Sequence, residues 1–322
     1  MVKAPSRCYT ILMRMEPFQH ISGLIAAPHT PFSNDGEVDF TMLPKQIEAL
    51  SRQGLAGVFV NGTTGEGLSL TRPERERILA SWTETAPSSL KVIAHVGHHS
   101  AREAAALARH ASDSGAYGIS TMGPSFLKPG NARALVDFCK PIAAAAPDLA
   151  FYYYHIPSLS GVCVPMVEFL ELGGKEIPNL AGIKYTHGDL FEFQRCRALQ
   201  DGRFDLLWGV DEVLLGALAV GATGAVGSTY NYAAPIYHRM MEAFATGDLE
   251  TARDCSMQSV RLIELLIKFG VLPSGKALMS LHGADCGPPR PPVCPLSPEK
   301  RAEMLAAVTA LGVIHTPDPV SA

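Results

Sequence analysis

The sequence predicts an α/β chain of the (β/α)8 TIM barrel class with a C-terminal helical appendage. Three observations predict it: eight short apolar runs, a helical pattern after each run, and 322 residues, enough for one such barrel with chain to spare. The runs are rich in β-branched or aromatic residues and are bounded by breakers, as buried strands are. GLIAA from Gly23 comes first, followed by AGVFVN from Ala56, KVIAHV from Lys91 and YGIST from Tyr117. LAFYYY from Leu149, LAGIKY from Leu180, FDLLW from Phe204 and TGAVGS from Thr223 complete the set.

The helices between them have recognisable starts. TRPE at Thr71 and SARE at Ser100 read as capping boxes, in which a hydroxyl at the N-cap is joined by a glutamate three positions on that reaches back to free backbone amides. Strands linked by such crossovers run parallel. The barrel is assigned to residues 21–245. Residues 1–20 read as an N-terminal extension, and residues 246–322 as a C-terminal helical region. The latter contains DLETARDCSMQSVRLIELLIKFG and SPEKRAEMLAAVTALGV, two amphipathic helices separated by the breaker-rich GPPRPPVCPLSPE.

Composition excludes several partners. With 47% apolar residues, 18% charged residues and a net charge of −4, the chain has neither the polarity of a disordered segment nor the basic excess that phosphate backbones demand, so no nucleic acid is expected. No apolar run approaches the roughly 20 residues needed to cross a bilayer, so no membrane is expected. The start lacks the apolar stretch of a secretory signal, while Arg7 and Arg14 in an acid-poor lead leave an organelle-targeting reading open. Seven cysteines without C-x-x-C spacing argue against a disulfide framework or a zinc cluster, and a cytoplasmic location fits best.

In a parallel barrel the strand C-terminal ends and the loops after them build the site. There the sequence offers Gly62-Thr63-Thr64-Gly65-Glu66 after the second strand, Tyr154 at the end of the fifth and Lys184 in the sixth. Gly209, Asp211 and Glu212 follow the seventh, and the eighth ends in Ser228, Thr229 and Tyr230. Lys184 shares a strand face with Gly182 and opposes Ile183. If that face is the interior, desolvation lowers its pKa and supplies the neutral amine that attacks a carbonyl. The alternative is a strand-end lysine that reaches water or pairs with a carboxylate. Tyr154 can relay a proton, although three consecutive tyrosines also suit an ordinary barrel strand. Thr63 and Thr64 between glycines offer hydroxyls and free backbone amides, chemistry that grips a small carboxylate. The loop lacks the lysine of a Walker A motif and the glycine spacing of a dinucleotide site. HVGHHS from His95 raises a metal site, but its spacing matches no zinc motif, and no metal is expected. Asp211 and Glu212 open a helix, where acidic residues complement the dipole, so a helix-start role stands beside substrate contact.

GTTGE, YHIP and GIK together resemble the pyruvate-dependent class I aldolases of the dihydrodipicolinate synthase and N-acetylneuraminate lyase superfamily. YYYHIPSLSGV, GIKYTHGDL, GVDE and GATGAVGSTYNY resemble its sialic acid lyase branch, and the similarity runs from about Ile21 through GPPRPP. The resemblance implies an imine on Lys184, proton transfer by Tyr154, and a pyruvate carboxylate on Thr63 and Thr64. It implies a sugar polyol on Thr186, Gly209, Asp211, Glu212 and Ser228, a homotetramer, and no metal or organic cofactor. Many members carry a tyrosine after the fourth strand that crosses a subunit interface. Phe126 of GPSFLKP stands there instead, as it does in animal-type lyases, so the resemblance does not extend to a relay through that hydroxyl. Other guests for the same chemistry are dihydrodipicolinate precursors or a shorter 2-keto-3-deoxy sugar acid. A barrel that binds keto acids without catalysis is the reading from a different class.

Overall fold

The computed structural model describes residues 18–314; most of the N-terminal extension, with Arg7, Arg14 and Cys8, lies outside the described residues. All eight runs form strands: β1 (Gly23–Ala26), β2 (Gly57–Val60), β3 (Lys91–His95), β4 (Gly118–Thr121), β5 (Ala150–His155), β6 (Leu180–Tyr185), β7 (Asp205–Trp208) and β8 (Gly224–Gly227). They close in chain order into one parallel barrel, with β1 pairing β8 from Gly23↔Gly224 to Ala26↔Gly227. The crossover helices are α1 (Leu43–Ser51), α2 (Arg72–Thr85), α3 (Ala101–Asp113), α4 (Ala132–Ala143), the single turn α5 (Pro157–Ser160), α6 (Met166–Glu176), α7 (Leu190–Ala198) and α8 (Leu214–Ala219). Beyond β8 come α9 (Tyr230–Thr246), α10 (Leu249–Phe269), α11 (Val271–Leu278) and α12 (Pro298–Leu311).

Strand alternation sorts the core into two layers. Leu24, Val58, Ile119, Phe151 and Ile183 pack outward under the helices, whereas Ile25, Phe59, Ile93, Tyr152, Leu207 and Val226 fill the interior. Burying each such side chain contributes about 1.5–3 kcal/mol, which fixes the register, since a one-residue slip would exchange the layers. Ile183 therefore faces the helices and Lys184 the interior. At the N-terminal end of the barrel, the Asp205 carboxylate accepts hydrogen bonds from Tyr152 Oη at 2.8 Å and Ile21 N at 3.1 Å. That end serves stability and leaves the opposite end for chemistry.

The helix starts follow their caps, with one difference. The Glu74 carboxylate accepts from Thr71 N at 2.7 Å and from Thr71 Oγ1 at 2.9 Å, as the TRPE reading expects. At Ser100 only half of the box forms. Ser100 Oγ accepts from Glu103 N at 3.5 Å, but the Glu103 carboxylate turns to Arg72, 3.6 Å away. The Ser100 amide that this carboxylate would cap already donates to His98 Nδ1 at 2.9 Å.

Candidate active site

All nine residues to which the resemblance gives a role line one cavity of about 560 Å³ at the C-terminal end of the barrel. Its centre is a cross-strand pair: β5 and β6 place Tyr154 beside Lys184 in register. Lys184 is 4% exposed, and its Nζ lies 3.9 Å from the Phe59 ring centroid and 4.1 Å from that of Tyr154. Burial lowers its pKa to about 7, with the Asp211 charge acting in the opposite direction. At neutral pH a large fraction of this amine is therefore unprotonated and nucleophilic. Burial raises the Tyr154 phenol, while the Thr63 and Thr186 hydroxyls beside it pull it back. The resting side chain is a proton donor, and its Oη lies 3.3 Å from Thr63 Oγ1.

The GTTGE loop is held by its own backbone, with Glu66 N donating to Thr63 O at 3.0 Å and Gly67 N to Gly62 O at 3.0 Å. Asn61 (φ 60°) and Glu66 (φ 54°) bracket it in the left-handed region. Such conformations cost about 1–3 kcal/mol each for residues other than glycine and persist only where neighbours enforce them. Asn61 Nδ2 donates to Arg75 O at 3.0 Å, and the His95 ring meets Asn61 O at 3.1 Å. Gly67 has no freedom to carry a side chain, because a Cβ there would collide with the Asn61 carbonyl.

The loops after β6, β7 and β8 form the opposite wall. Gly209 lets β7 approach β6 closely, since a Cβ there would lie 3.0 Å from Thr186 Cα. Asp211 and Glu212 begin a short 3-10 turn into α8, in keeping with the helix-start reading, but their surroundings differ. Asp211 is buried, and its Oδ2 accepts from Thr229 N at 3.0 Å and Thr229 Oγ1 at 2.6 Å. Glu212 is exposed at the cavity mouth, and Ser228 is half-buried beside it. The three histidines of HVGHHS have separate tasks: His95 bonds Asn61 O, His98 Nδ1 accepts from Ser100 N at 2.9 Å, and His99 Nε2 meets Ser125 Oγ at 2.9 Å.

Sequence reasoning missed part of the lining. His29, in the loop after β1, borders the cavity, and burial followed by the Lys276 charge lowers its pKa to about 3, so it is a neutral imidazole. Ile263, Leu266 and Ile267 of α10 and Val271 and Leu272 of α11 add an apolar wall. The amphipathic pattern of α10 signalled a helix with one buried face; nothing in it said that this face would fold back over the barrel mouth.

The model of the dihydrodipicolinate synthetase family matches residues 20–311. N-acetylneuraminate lyase from Mus musculus is 41% identical over 306 residues, covering 94% of this chain and 96% of that protein. N-acetylneuraminate lyase from Homo sapiens is 43% identical over 282 residues, covering 86% and 88%. The solved structure of Proteus mirabilis N-acetylneuraminate lyase superposes with a TM-score of 0.90 at 42% identity, covering 92% of this chain and 100% of that one. With the barrel, its site and its C-terminal helices all inside the matched span, the chain belongs to the dihydrodipicolinate synthetase family.

Proposed function

We propose that the protein is a class I aldolase that cleaves N-acetylneuraminate reversibly to N-acetylmannosamine and pyruvate. The observation that carries the chemistry is the buried amine of Lys184 beside the Tyr154 phenol in one cavity. The names and high coverage of the similar lyases support the substrate. The neutral Lys184 amine attacks the keto carbon of the open-chain sugar acid, and a proton passes from nitrogen to oxygen to give a carbinolamine. Tyr154 gives its proton to the departing hydroxide, so water leaves and a protonated imine stands next to a phenolate. The phenolate then takes the proton of the hydroxyl at the bond being broken. The C–C electrons flow into the iminium as an enamine, and the aldehyde sugar departs. Protonation of the enamine carbon and hydrolysis release pyruvate and restore the amine.

Thr63 and Thr64 hold the keto-acid carboxylate and so convert binding into orientation at Lys184. Thr186, Gly209, Glu212 and Ser228 face the polyol, and Asp211 shapes that wall through Thr229. A cavity of about 560 Å³ has room for a nine-carbon sugar acid and is generous for pyruvate with a small semialdehyde. The six cysteines among the described residues are free thiols, which supports a cytoplasmic location. Phe126 and Leu127, 81% and 80% exposed after β4, support assembly of copies, which we assign as a homotetramer. The test is incubation with pyruvate and borohydride, then assay of N-acetylneuraminate cleavage. A reduced pyruvate adduct on Lys184 together with cleavage is expected. An adduct elsewhere, or preference for a shorter 2-keto-3-deoxy acid, overturns the assignment.

A further inference from the structure

We propose that a buried ion pair between Glu66 and Lys276 positions the loop that grips the substrate carboxylate, making the C-terminal helical region a determinant of keto-acid affinity. The inference rests on the proposed role of Thr63 and Thr64. Lys276 lies in α11, 210 positions from Glu66, and neither side chain is more than 4% exposed. Its Nζ donates to Glu66 Oε1 at 2.9 Å and to Thr30 O at 2.7 Å. Thr30 Oγ1 in turn donates to Gly65 O at 2.6 Å. One ammonium thus ties both the side chain that ends the loop and the segment that braces its Gly65.

The second Glu66 oxygen accepts from Arg290 N at 2.8 Å. The Arg290 guanidinium reaches Gly36 O at 2.8 Å, Ser69 O at 2.9 Å and the Glu74 carboxylate. Lys276 and Arg290 both stand over the Phe32 ring, 4.1 and 4.5 Å from its centroid. A buried ion pair is weak evidence for stability, because an apolar pair of similar shape often does as well. Its distinct contribution is geometry. Glu66 has a left-handed backbone, and fixing its side chain at two points fixes that backbone. Through the Glu66 N to Thr63 O bond, it also fixes the direction in which Thr63 and Thr64 present their groups.

The test is trapping of the Lys184 imine by borohydride across a range of pyruvate concentrations, with acetone as a ketone that lacks a carboxylate. It is read on the full chain for wild type, the charge-neutral double variant Glu66→Gln/Lys276→Met, and Glu66→Asp. The last keeps the charge and suits a left-handed backbone, but pulls the carboxylate back by one methylene. We expect the half-saturating pyruvate concentration to rise at least about tenfold in the double variant and at least about threefold in Glu66→Asp. Trapping at saturation and acetone trapping stay at the wild-type level. An unchanged pyruvate concentration, or equal losses with pyruvate and acetone, overturns the inference. If the double variant does not fold, Glu66→Asp decides alone. A wild type that forms no pyruvate adduct removes the underlying functional reading, whereas a normal wild type with unshifted variants removes only this inference.

Discussion

Two buried lysines, Lys184 in β6 and Lys276 in α11, are alike in burial, in the ring beneath them and in the direction of their pKa shift. They are 4% and 0% exposed, each stands about one ring thickness above a phenylalanine, at 3.9 and 4.1 Å, and burial lowers the pKa of both. Their partners differ. Lys276 is bonded to a carboxylate and a carbonyl, so its charge is compensated. The carboxylate nearest in effect to Lys184, that of Asp211, is instead engaged by Thr229 through two hydrogen bonds. Burial and an aromatic floor therefore do not by themselves select a nucleophile. The selection lies in whether a bonded acceptor holds the ammonium: Glu66 holds Lys276, whereas Asp211 acts on Lys184 through its charge while its Oδ2 serves Thr229.

The largest effect separates the two lysines by substitution with methionine. Lys184→Met should abolish cleavage and trapping, a loss of at least about four orders of magnitude, yet stabilise the fold. In the unfolded chain the amine titrates near 10.5, and in the folded protein near 7, so folding strips a proton between those values. The resulting penalty is full below about pH 7, shrinks as pH rises, and vanishes above about 10.5. Its upper bound is on the order of 5 kcal/mol. The melting temperature of Lys184→Met should therefore exceed that of wild type by several degrees at pH 6 and converge on it toward pH 10.5. Lys276→Met should do the reverse, losing about 3–5 kcal/mol because Glu66 stays buried without its ion partner. Melts of both variants at the two pH values check this. A Lys184→Met protein less stable than wild type at pH 6 would erase the distinction between the two sites.

A smaller effect tests whether the phenol works beside the amine or merely floors it. Tyr154→Phe keeps the ring under Lys184 and removes only the hydroxyl, so the apolar surroundings that set the amine's pKa persist. Cleavage of N-acetylneuraminate should fall by about two to four orders of magnitude, the usual scale for losing general acid–base help. Pyruvate trapping on Lys184 should continue at a measurable rate, since the amine and the carboxylate loop remain. Turnover near the wild-type level would make Tyr154 a packing residue.

What could be read from the sequence follows the range of the interactions involved. Strands are local patterns, and all eight runs became strands because alternation and breakers lie within six or so residues. Lys184 was legible for the same reason: Gly182 and Ile183 fix its face. The Thr71 cap was legible, whereas the Ser100 box lacks its second half because the Ser100 amide donates to His98 and Glu103 turns to Arg72 of the neighbouring helix. What stayed hidden is long-range. Lys276 meets Glu66 across 210 positions, the α10 face covers the cavity mouth from the far end of the chain, and His29 borders a site whose predicted members begin at Thr63. No periodic signature says where any of these groups ends up. Asp211 shows the intermediate case, since its acidic character and place before α8 were readable, but its engagement by Thr229, 18 positions on, was not.

The smallest effect follows from that last contrast, because Asp211 and Glu212 are neighbours in sequence with different surroundings. Asp211→Ala would strip the Thr229 amide of its acceptor and disturb the turn into α9, so it cannot report on the sugar alone. Glu212 is exposed at the mouth of the cavity, and Glu212→Gln keeps its shape while removing its charge. A hydrogen bond of an ordinary kind contributes about 0.5–1.5 kcal/mol, and exposure to water keeps a charged one toward that range rather than above it. The KM for N-acetylneuraminate should then rise about twofold to tenfold with kcat little changed, the pattern of lost uniform binding. Pyruvate trapping on Lys184 should be unaffected, because the imine and the carboxylate grip lie at the other end of the guest. Running the variant on a shorter 2-keto-3-deoxy acid as well completes the comparison. A loss confined to the longer sugar places Glu212 on the polyol, whereas an equal loss on both acids, or any fall in trapping, would show that it acts on the site as a whole.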